Sequence, residues 1–165
     1  MEILWQELTS GLPDRQQLAR VIIRLIAAAI LGSIIGYERE RAGKAAGLRT
    51  HILVTLGTCV FILACSGSGM DSDGLSRVIQ GIVTGIGFLG AGSILKLNEE
   101  RDIQGLTTAA GIWMTAAVGI AVGLGSLGLA LLSTILTVIV LALLGQVDYE
   151  AEKKQAAESE NIEKY

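Results

Sequence analysis

The sequence predicts an all-helical bundle that crosses a membrane five times, with the N-terminus outside and the C-terminus in the cytoplasm. Apolar stretches of spanning length follow one another along the 165 residues, and most charges lie in the gaps between them. A helix needs about 20 apolar residues to cross a hydrocarbon core of about 30 Å. It also bonds its own backbone N–H and C=O groups, as lipid requires. The predicted spans are 18–37, 50–66, 75–95, 106–123 and 127–145.

Composition supports this fold class against a soluble one. The chain is 51% hydrophobic and only 18% charged, and its mean hydropathy is +0.56. A soluble helical bundle should show a polar stripe at a spacing of 3.6 residues, which the second and fifth stretches lack. A net charge of −3, with no basic patch containing aromatic residues, argues against a nucleic-acid partner. The expected surroundings are the lipid bilayer.

The first span carries two arginines, Arg20 and Arg24, which are four residues apart and share one helix face. A charge inside the hydrocarbon core costs roughly 2.5–3.5 kcal/mol, so such residues reach the interface, pair, or line a cavity. We expect Arg20 to reach the interface. The carboxylates nearest to Arg24 are those of the second loop, and the alternative to pairing is that they hold a hydrated divalent cation. The predicted outer-face ion pairs involve Arg24, Asp71, Asp73 and Arg77.

Basic residues in the loops predict the orientation, because Lys and Arg resist translocation whereas acidic residues contribute little. The first and third loops are basic, the second has no basic residue before the third helix, and the fourth is uncharged. The arginines near the N-terminus oppose this alternation, and the three consistent loops outweigh them. The sequence therefore predicts a transmembrane domain over 1–145 and a short charged cytoplasmic tail over 146–165.

The second span contains both cysteines of the chain, Cys59 and Cys65. Six residues apart on a helix, they do not share a face well. They are therefore interpreted as small buried hydrophobic residues and not as a disulfide or a metal-binding pair.

Glycines spaced four apart occur in three spans, at Gly32–Gly36, Gly81–Gly85 and Gly119–Gly123. This spacing lets helix backbones approach closely in lipid. The third span is the richest in glycine, so we predict that it is the central helix, packed by neighbours on more than one face. Its G-x-G-x-x-G match lies inside an apolar span with no preceding strand, which excludes a dinucleotide site. The predicted helix-packing residues are Gly81, Gly85, Gly87, Gly90, Gly92 and Trp113.

The loop between the first two spans is unusually dense in charge. Glu38 and Glu40 contribute nothing to orientation, so we expect each to pair with a basic residue or to contact a ligand. The second and fourth helices begin on this side, and their N-termini favour anions. Threonine hydroxyls at the start of the fourth helix are expected to satisfy free backbone N–H groups. The expected basic partners are Lys44, Arg49 and Arg101. The predicted functional motif is Glu38, Arg39, Glu40, Lys44, Arg49, Thr50, His51, Thr107 and Thr108.

The sequence resembles the membrane domain of the MgtC/SapB family in three segments, over roughly residues 20–145. They are LGSIIGYERERAGKAAGLRTHILVTLGT (31–58), RVIQGIVTGIGFLGAGSIL (77–95) and IQGLTTAAGIWMTAAVGIAVGLG (103–125). The combination of E-R-E, G-L-R-T-H, G-I-G-F-L-G-A-G and G-L-T-T-A-A is specific.

The sequence departs from the family pattern at two places. Family members usually carry an acidic residue where this chain has Gly74, with Asp73 one step earlier. Many also add a cytoplasmic regulatory domain after the fifth helix, where we expect only the tail.

The resemblance implies a non-enzymatic protein of the bacterial inner membrane that acts in magnesium or general cation homeostasis. It implies regulation of other membrane proteins, such as ion pumps, by a small homo-oligomer, with a dimer favoured. The alternative is a transporter or channel for Mg²⁺ or a small solute, although no span carries the buried carboxylate that a cation path usually needs. No cofactor is expected, and Mg²⁺ remains a candidate ligand.

Overall fold

The computed structural model describes residues 2–3, 15–96 and 103–143. Two-residue strands, β1 (Leu95–Lys96) and β2 (Ile103–Gln104), pair antiparallel. The main helices are α1 (Arg15–Arg41), α2 (Leu48–Gly67), α3 (Ser72–Gly92), α4 (Leu106–Gly123) and α5 (Leu127–Leu143).

The predicted fold class, an all-helical membrane bundle, is confirmed. Helices α1 to α4 are long and apolar enough to cross a membrane, and α5 is a shorter apolar helix. Each overlaps one predicted span. The third helix ends at Gly92, earlier than predicted, because the chain then turns into β1. The orientation across the membrane stays a prediction, and the tail over 146–165 lies outside the described residues.

The centre of the bundle is formed by α2 and α4. Each of them packs against α1, against α3 and against the other. In α4, 56% of the apolar span is buried, compared with 11% in α3. The prediction that the glycine-rich third span is central is therefore wrong. Glycine permits close approach, but a neighbouring helix must also be available, and the best-covered faces of α2 are taken by α1 and α4.

Close backbone contact occurs at two of the three predicted glycine pairs. A Cβ atom added at Gly36 would lie 2.7 Å from the Cα of Leu48, and one added at Gly119 would lie 2.5 Å from the main-chain oxygen of Thr55. Gly32 and Gly123 are similarly crowded by α2. These contacts make α1 antiparallel to α2 and α4 parallel to it. The N-termini of α2 and α4 therefore lie at one end of the bundle, as the sequence predicts.

The glycines of α3 behave differently, which corrects most of the predicted packing residues. A Cβ atom added at Gly81, Gly85, Gly87 or Gly92 would meet no heavy atom within 4 Å. Of this set, only Gly90 packs on α4: a Cβ atom added there would lie 3.6 Å from the Cβ of Ala109. The helix-packing role of Trp113 stays a prediction, since this side chain is half buried, at 48% exposure.

The α1–α2 turn depends on a glycine in the left-handed conformation, Gly43, with φ +66°. Its N–H donates to the carbonyl of Glu40, and the N–H of Lys44 donates to the carbonyl of Arg39, both at 3.0 Å. This is the Schellman pattern, which satisfies the last free carbonyls of a helix. The same pattern ends α4 at Gly125 (φ +84°). Both turns are short enough to keep consecutive helices side by side.

Buried hydroxyl groups in the bundle are satisfied within their own helices. Five buried threonines of α2, α4 and α5 each donate to a main-chain carbonyl four residues earlier. In a medium without water, such bonds remove the cost of an unpaired hydroxyl. The residues concerned are Thr55, Thr58, Thr115, Thr134 and Thr137.

Candidate functional site

A buried ion pair marks the end of the bundle where α1 terminates. The Arg39 side chain is 2% exposed and that of Glu38 is 17% exposed. The guanidinium donates to both carboxylate oxygens of Glu38, from Nε to Oε2 and from Nη2 to Oε1, the latter at 2.7 Å. Nη2 also donates to the carbonyl of Leu141 at 3.2 Å. Because this carbonyl belongs to α5, Arg39 links the last turn of α1 to the fifth helix.

The second glutamate of the motif holds the start of α2. Oε2 of Glu40 accepts a hydrogen bond from the backbone N–H of Leu48 at 2.9 Å. A carboxylate in this position satisfies one free N–H of the helix and is favoured by the positive N-terminal end of the helix dipole. A Cβ atom at Gly47 would lie 2.9 Å from the same oxygen. Glycine at this position therefore makes room for the carboxylate.

The predicted partners of these glutamates are corrected by this geometry. Glu38 pairs with its neighbour Arg39, and Glu40 accepts from the backbone. Lys44 and Arg49 are exposed and form no ion pair with a described residue. Arg101 lies outside the described residues. The sequence shows charges close together, but only the fold decides which of them becomes buried and must be paired.

His51 lies inside the bundle, fully buried at 0% exposure. Its Nδ1 is 2.9 Å from the carbonyl oxygen of Gly47. A carbonyl only accepts, so Nδ1 carries a proton, and in a neutral ring Nε2 is then an acceptor. Nε2 has no hydrogen-bond partner among the described residues, and it lies 3.7 Å from the position of a Cβ atom at Gly111. His51 is therefore a buried residue of the bundle, hydrogen-bonded to the backbone of its own helix.

His51 belongs to a row of buried residues on one face of α2. This row was not predicted from the sequence. The residues of this row share one face of α2, because they are spaced four, three and four residues apart: His51, Thr55, Thr58 and Ile62. Thr55 and Thr58 lie against Gly119 of α4. The H-x-x-x-T-x-x-T spacing opposite a glycine pair is the signal that would have identified this interface.

The start of α4 also differs from expectation. Its N-cap residue is Gly105, which has φ +95° and makes no side-chain cap hydrogen bond. The predicted capping role of the threonines is therefore wrong: Thr107 is exposed and Thr108 is buried within the bundle at 3% exposure. Thr50, in the first turn of α2, is partly exposed. A left-handed glycine takes the cap position because the chain turns sharply from β2 into α4.

At the opposite end of the bundle, Arg24 reaches across to α4. Its Nη1 donates to the carbonyl of Gly123 at 2.8 Å, and its guanidinium covers Gly125, where an added Cβ atom would lie 3.0 Å from Cζ. A cation at the C-terminal end of a helix interacts favourably with the helix dipole. Arg24 therefore binds a carbonyl of α4 in place of the carboxylates that the sequence predicts as its partners.

The predicted outer-face ion pairs do not form among the described residues. Asp71 is the N-cap of α3, and its carboxylate accepts from the N–H of Gly74 at 2.8 Å. Asp73, in the first turn of α3, and Arg77 are exposed. Asp71 is used by its own helix because a cap is local, whereas an ion pair to α1 would have to cross the bundle. In the described part of the chain, no three His, Cys, Asp or Glu side chains are grouped as metal ligands.

Comparison with known proteins gives the same result as the motifs. The sequence model of the MgtC family matches residues 25–149. The chain belongs to the MgtC family. With its apolar helices, it is a multi-pass membrane protein. No solved structure matches the chain.

Relatives within the MgtC family come from several bacteria. The chain is 43% identical to the Escherichia coli K12 protein named "Putative magnesium transporter YhiD", over 82% of this chain and 66% of the relative. It is 41% identical to protein MgtC of Salmonella paratyphi A, over 86% of this chain and 63% of the relative. It is also 41% identical to protein SrpB of Synechococcus elongatus, over 72% of this chain and 71% of the relative. The chain thus spans about two thirds of the first of these relatives and less of the second.

Proposed function

We propose that this protein acts in magnesium or general cation homeostasis in the bacterial inner membrane, by contact with other membrane proteins such as ion pumps. Under this proposal it acts by contact and not as an enzyme. The family and the magnesium name of the Escherichia coli relative support the link to magnesium. The regulatory mechanism is supported by the way in which the interior of the chain is packed.

The observation that carries the mechanism is the closed interface between α1, α2 and α4. At Gly36 and Gly119 the backbones of neighbouring helices are so close that even a methyl group would collide with main-chain atoms. The hydroxyls along this interface are bonded within their own helices. A hydrated cation needs oxygen ligands and room for its waters. The centre of one chain is therefore better suited to a rigid scaffold than to a conduction path.

The exposed cations at the Arg39 end of the bundle are suited to such contacts, and we call them the docking surface. Arg41 and Lys44 are exposed there, whereas Glu38 and Arg39 hold the helices together. Exposed charges on a rigid support favour recognition of a complementary partner. The predicted orientation places this end in the cytoplasm.

A transporter of Mg²⁺ or of a small solute is the second candidate, and the name of the Escherichia coli relative favours it. Two measurements separate the candidates. One is growth in low magnesium of a bacterium that lacks its own MgtC-family gene. The other is Mg²⁺ entry into proteoliposomes that contain the purified protein and a Mg²⁺-sensitive dye.

Regulation by contact predicts that the parent chain restores growth while vesicles with and without protein load Mg²⁺ at the same rate. Arg41→Gln and Lys44→Gln should impair growth at unchanged membrane level and orientation. Arg20→Gln is the matched control, since it removes one exposed cation at the other end of α1. Mg²⁺ entry that rises with the amount of protein would refute the regulatory mechanism. Normal growth of both loop variants would refute the docking surface.

A further inference from the structure

A groove runs along the side of the bundle between α2 and α3, with a volume of about 700 Å³. We call it the lateral groove. Its bottom is widened by Gly57, Gly81 and Gly85, where an added Cβ atom would meet no heavy atom within 4 Å. Large apolar side chains form its rims, among them Leu53 and Phe61, which are 68% and 59% exposed. The glycines therefore leave a channel for an apolar chain, open towards the side of the protein.

The length of the lateral groove corresponds to one leaflet of a bilayer. Along α2 it extends from Arg49 to Phe61, which at 1.5 Å per residue is about 18 Å. Along α3 it extends from Val78 to Leu89, about 16 Å. Half of a hydrocarbon core of about 30 Å is about 15 Å. A single acyl chain therefore fits the groove lengthwise.

One end of the lateral groove is positively charged, and the rest is apolar. Arg49 lines this end beside Thr50, in the first turn of α2. Its guanidinium forms no ion pair with any described residue. Guanidinium groups bind phosphate through two parallel hydrogen bonds. A ligand complementary to this groove has a phosphate at one end and a hydrocarbon chain behind it.

A second copy of the chain fits this charge pattern less well. It would have to bring a carboxylate to Arg49 at the same end of the bundle. The described carboxylates of that end are already used: Glu38 binds Arg39, and Glu40 binds the N–H of Leu48. A lipid brings its own anion, and the predicted orientation places Arg49 on the cytoplasmic face, where anionic lipids attract basic residues.

We propose that the lateral groove binds one anionic phospholipid, with its phosphate on Arg49 and one acyl chain lying between α2 and α3. This site is separate from the exposed cations of the docking surface proposed above. The lipid would cover the glycine face of α3 that none of the described helices covers.

The test is lipid titration of the delipidated, full-length protein in a non-ionic detergent, followed by native mass spectrometry. The probes are dioleoylphosphatidylglycerol and the zwitterionic dioleoylphosphatidylcholine. We expect one phosphatidylglycerol to bind each chain more tightly than phosphatidylcholine does. Arg49→Gln should weaken phosphatidylglycerol binding about ten-fold, the effect of losing a hydrogen bond between charged groups. Arg20→Gln removes an exposed cation outside the groove and should leave binding unchanged.

A second pair of variants tests the apolar part of the lateral groove. Gly81→Leu adds an apolar side chain inside the groove, whereas Gly87→Leu adds the same side chain to α3 outside the lining; at both positions the Cβ atom meets no heavy atom of a described residue within 4 Å. Only Gly81→Leu should weaken lipid binding. Equal binding of the two lipids would overturn the proposal. So would an equal loss of lipid binding in Arg49→Gln and its control variant, or in Gly81→Leu and Gly87→Leu. So would a change from dimer to monomer in Gly81→Leu with unchanged lipid binding, since it would assign the groove to a second copy.

Discussion

Replacing one buried and one open glycine by alanine gives a direct measure of helix packing in this bundle. Gly119→Ala places a methyl group between α4 and α2, where its carbon would lie 2.5 Å from the main-chain oxygen of Thr55. Gly87→Ala places the same group on α3, where no heavy atom lies within 4 Å. Both sites are inside apolar helices. The intrinsic helix preference for alanine over glycine, about 0.8–1.0 kcal/mol, therefore cancels when the two variants are compared.

The remaining difference comes from packing. Ordinary contact with a Cβ atom begins at 3.4 Å, so α4 must move away from Thr55 by about 0.9 Å to accept the Gly119→Ala methyl group. The hydroxyl of Thr58 lies closer still, but the main-chain oxygen of Thr55 cannot move away by changing rotamer. Overpacking of this kind costs about 1–3 kcal/mol. We expect Gly119→Ala to have a free energy of unfolding lower than that of Gly87→Ala by this amount.

The measurement is reversible unfolding in mixed micelles, with sodium dodecyl sulfate as denaturant and helix content followed by circular dichroism. Gly87→Ala should be at least as stable as the parent. Equal stability of the two variants would show that α4 does not pack on α2 as described. A loss confined to Gly87→Ala would mean that the open face of α3 is covered by a partner in the micelle.

Two further predictions concern the arginines that bridge helices. Arg39→Met leaves the carboxylate of Glu38 without its cation and should lower the free energy of unfolding by about 3 kcal/mol, within the range for a broken buried pair. The double variant Glu38→Gln/Arg39→Met should lose less stability, because no unpaired carboxylate remains. An equal loss of stability in the single and double variants would contradict a paired role. Arg24→Gln removes the guanidinium from the C-terminal end of α4 and should cost about 1.5–3 kcal/mol, as for other hydrogen bonds to charged groups. The matched Arg20→Gln, at an exposed position of the same helix, should unfold as the parent does in the same assay, and similar losses in both would mean that α1 does not anchor the end of α4.

Much of the architecture is determined locally and was predictable from the sequence. The length and apolarity of each stretch are sufficient for a helix in lipid, since no other structure satisfies the backbone of a single span. The glycine pairs at Gly32–Gly36 and Gly119–Gly123 were also identified by spacing alone. The predicted first span ends at residue 37, about one helical turn before α1 ends at Arg41.

The partners of the charged and polar groups were decided only by the tertiary structure. Nothing in the order of residues indicates that Arg39 binds a carbonyl of α5, or that Arg24 binds one of α4 and not the carboxylate of Asp73. Glycine spacing likewise does not show whether a helix has a neighbour on that face, and in the described part of the chain α3 has none at Gly87. Local preferences determine which elements form. Which surfaces meet depends on competition among all the helices for the same few buried faces, and this competition is settled in three dimensions.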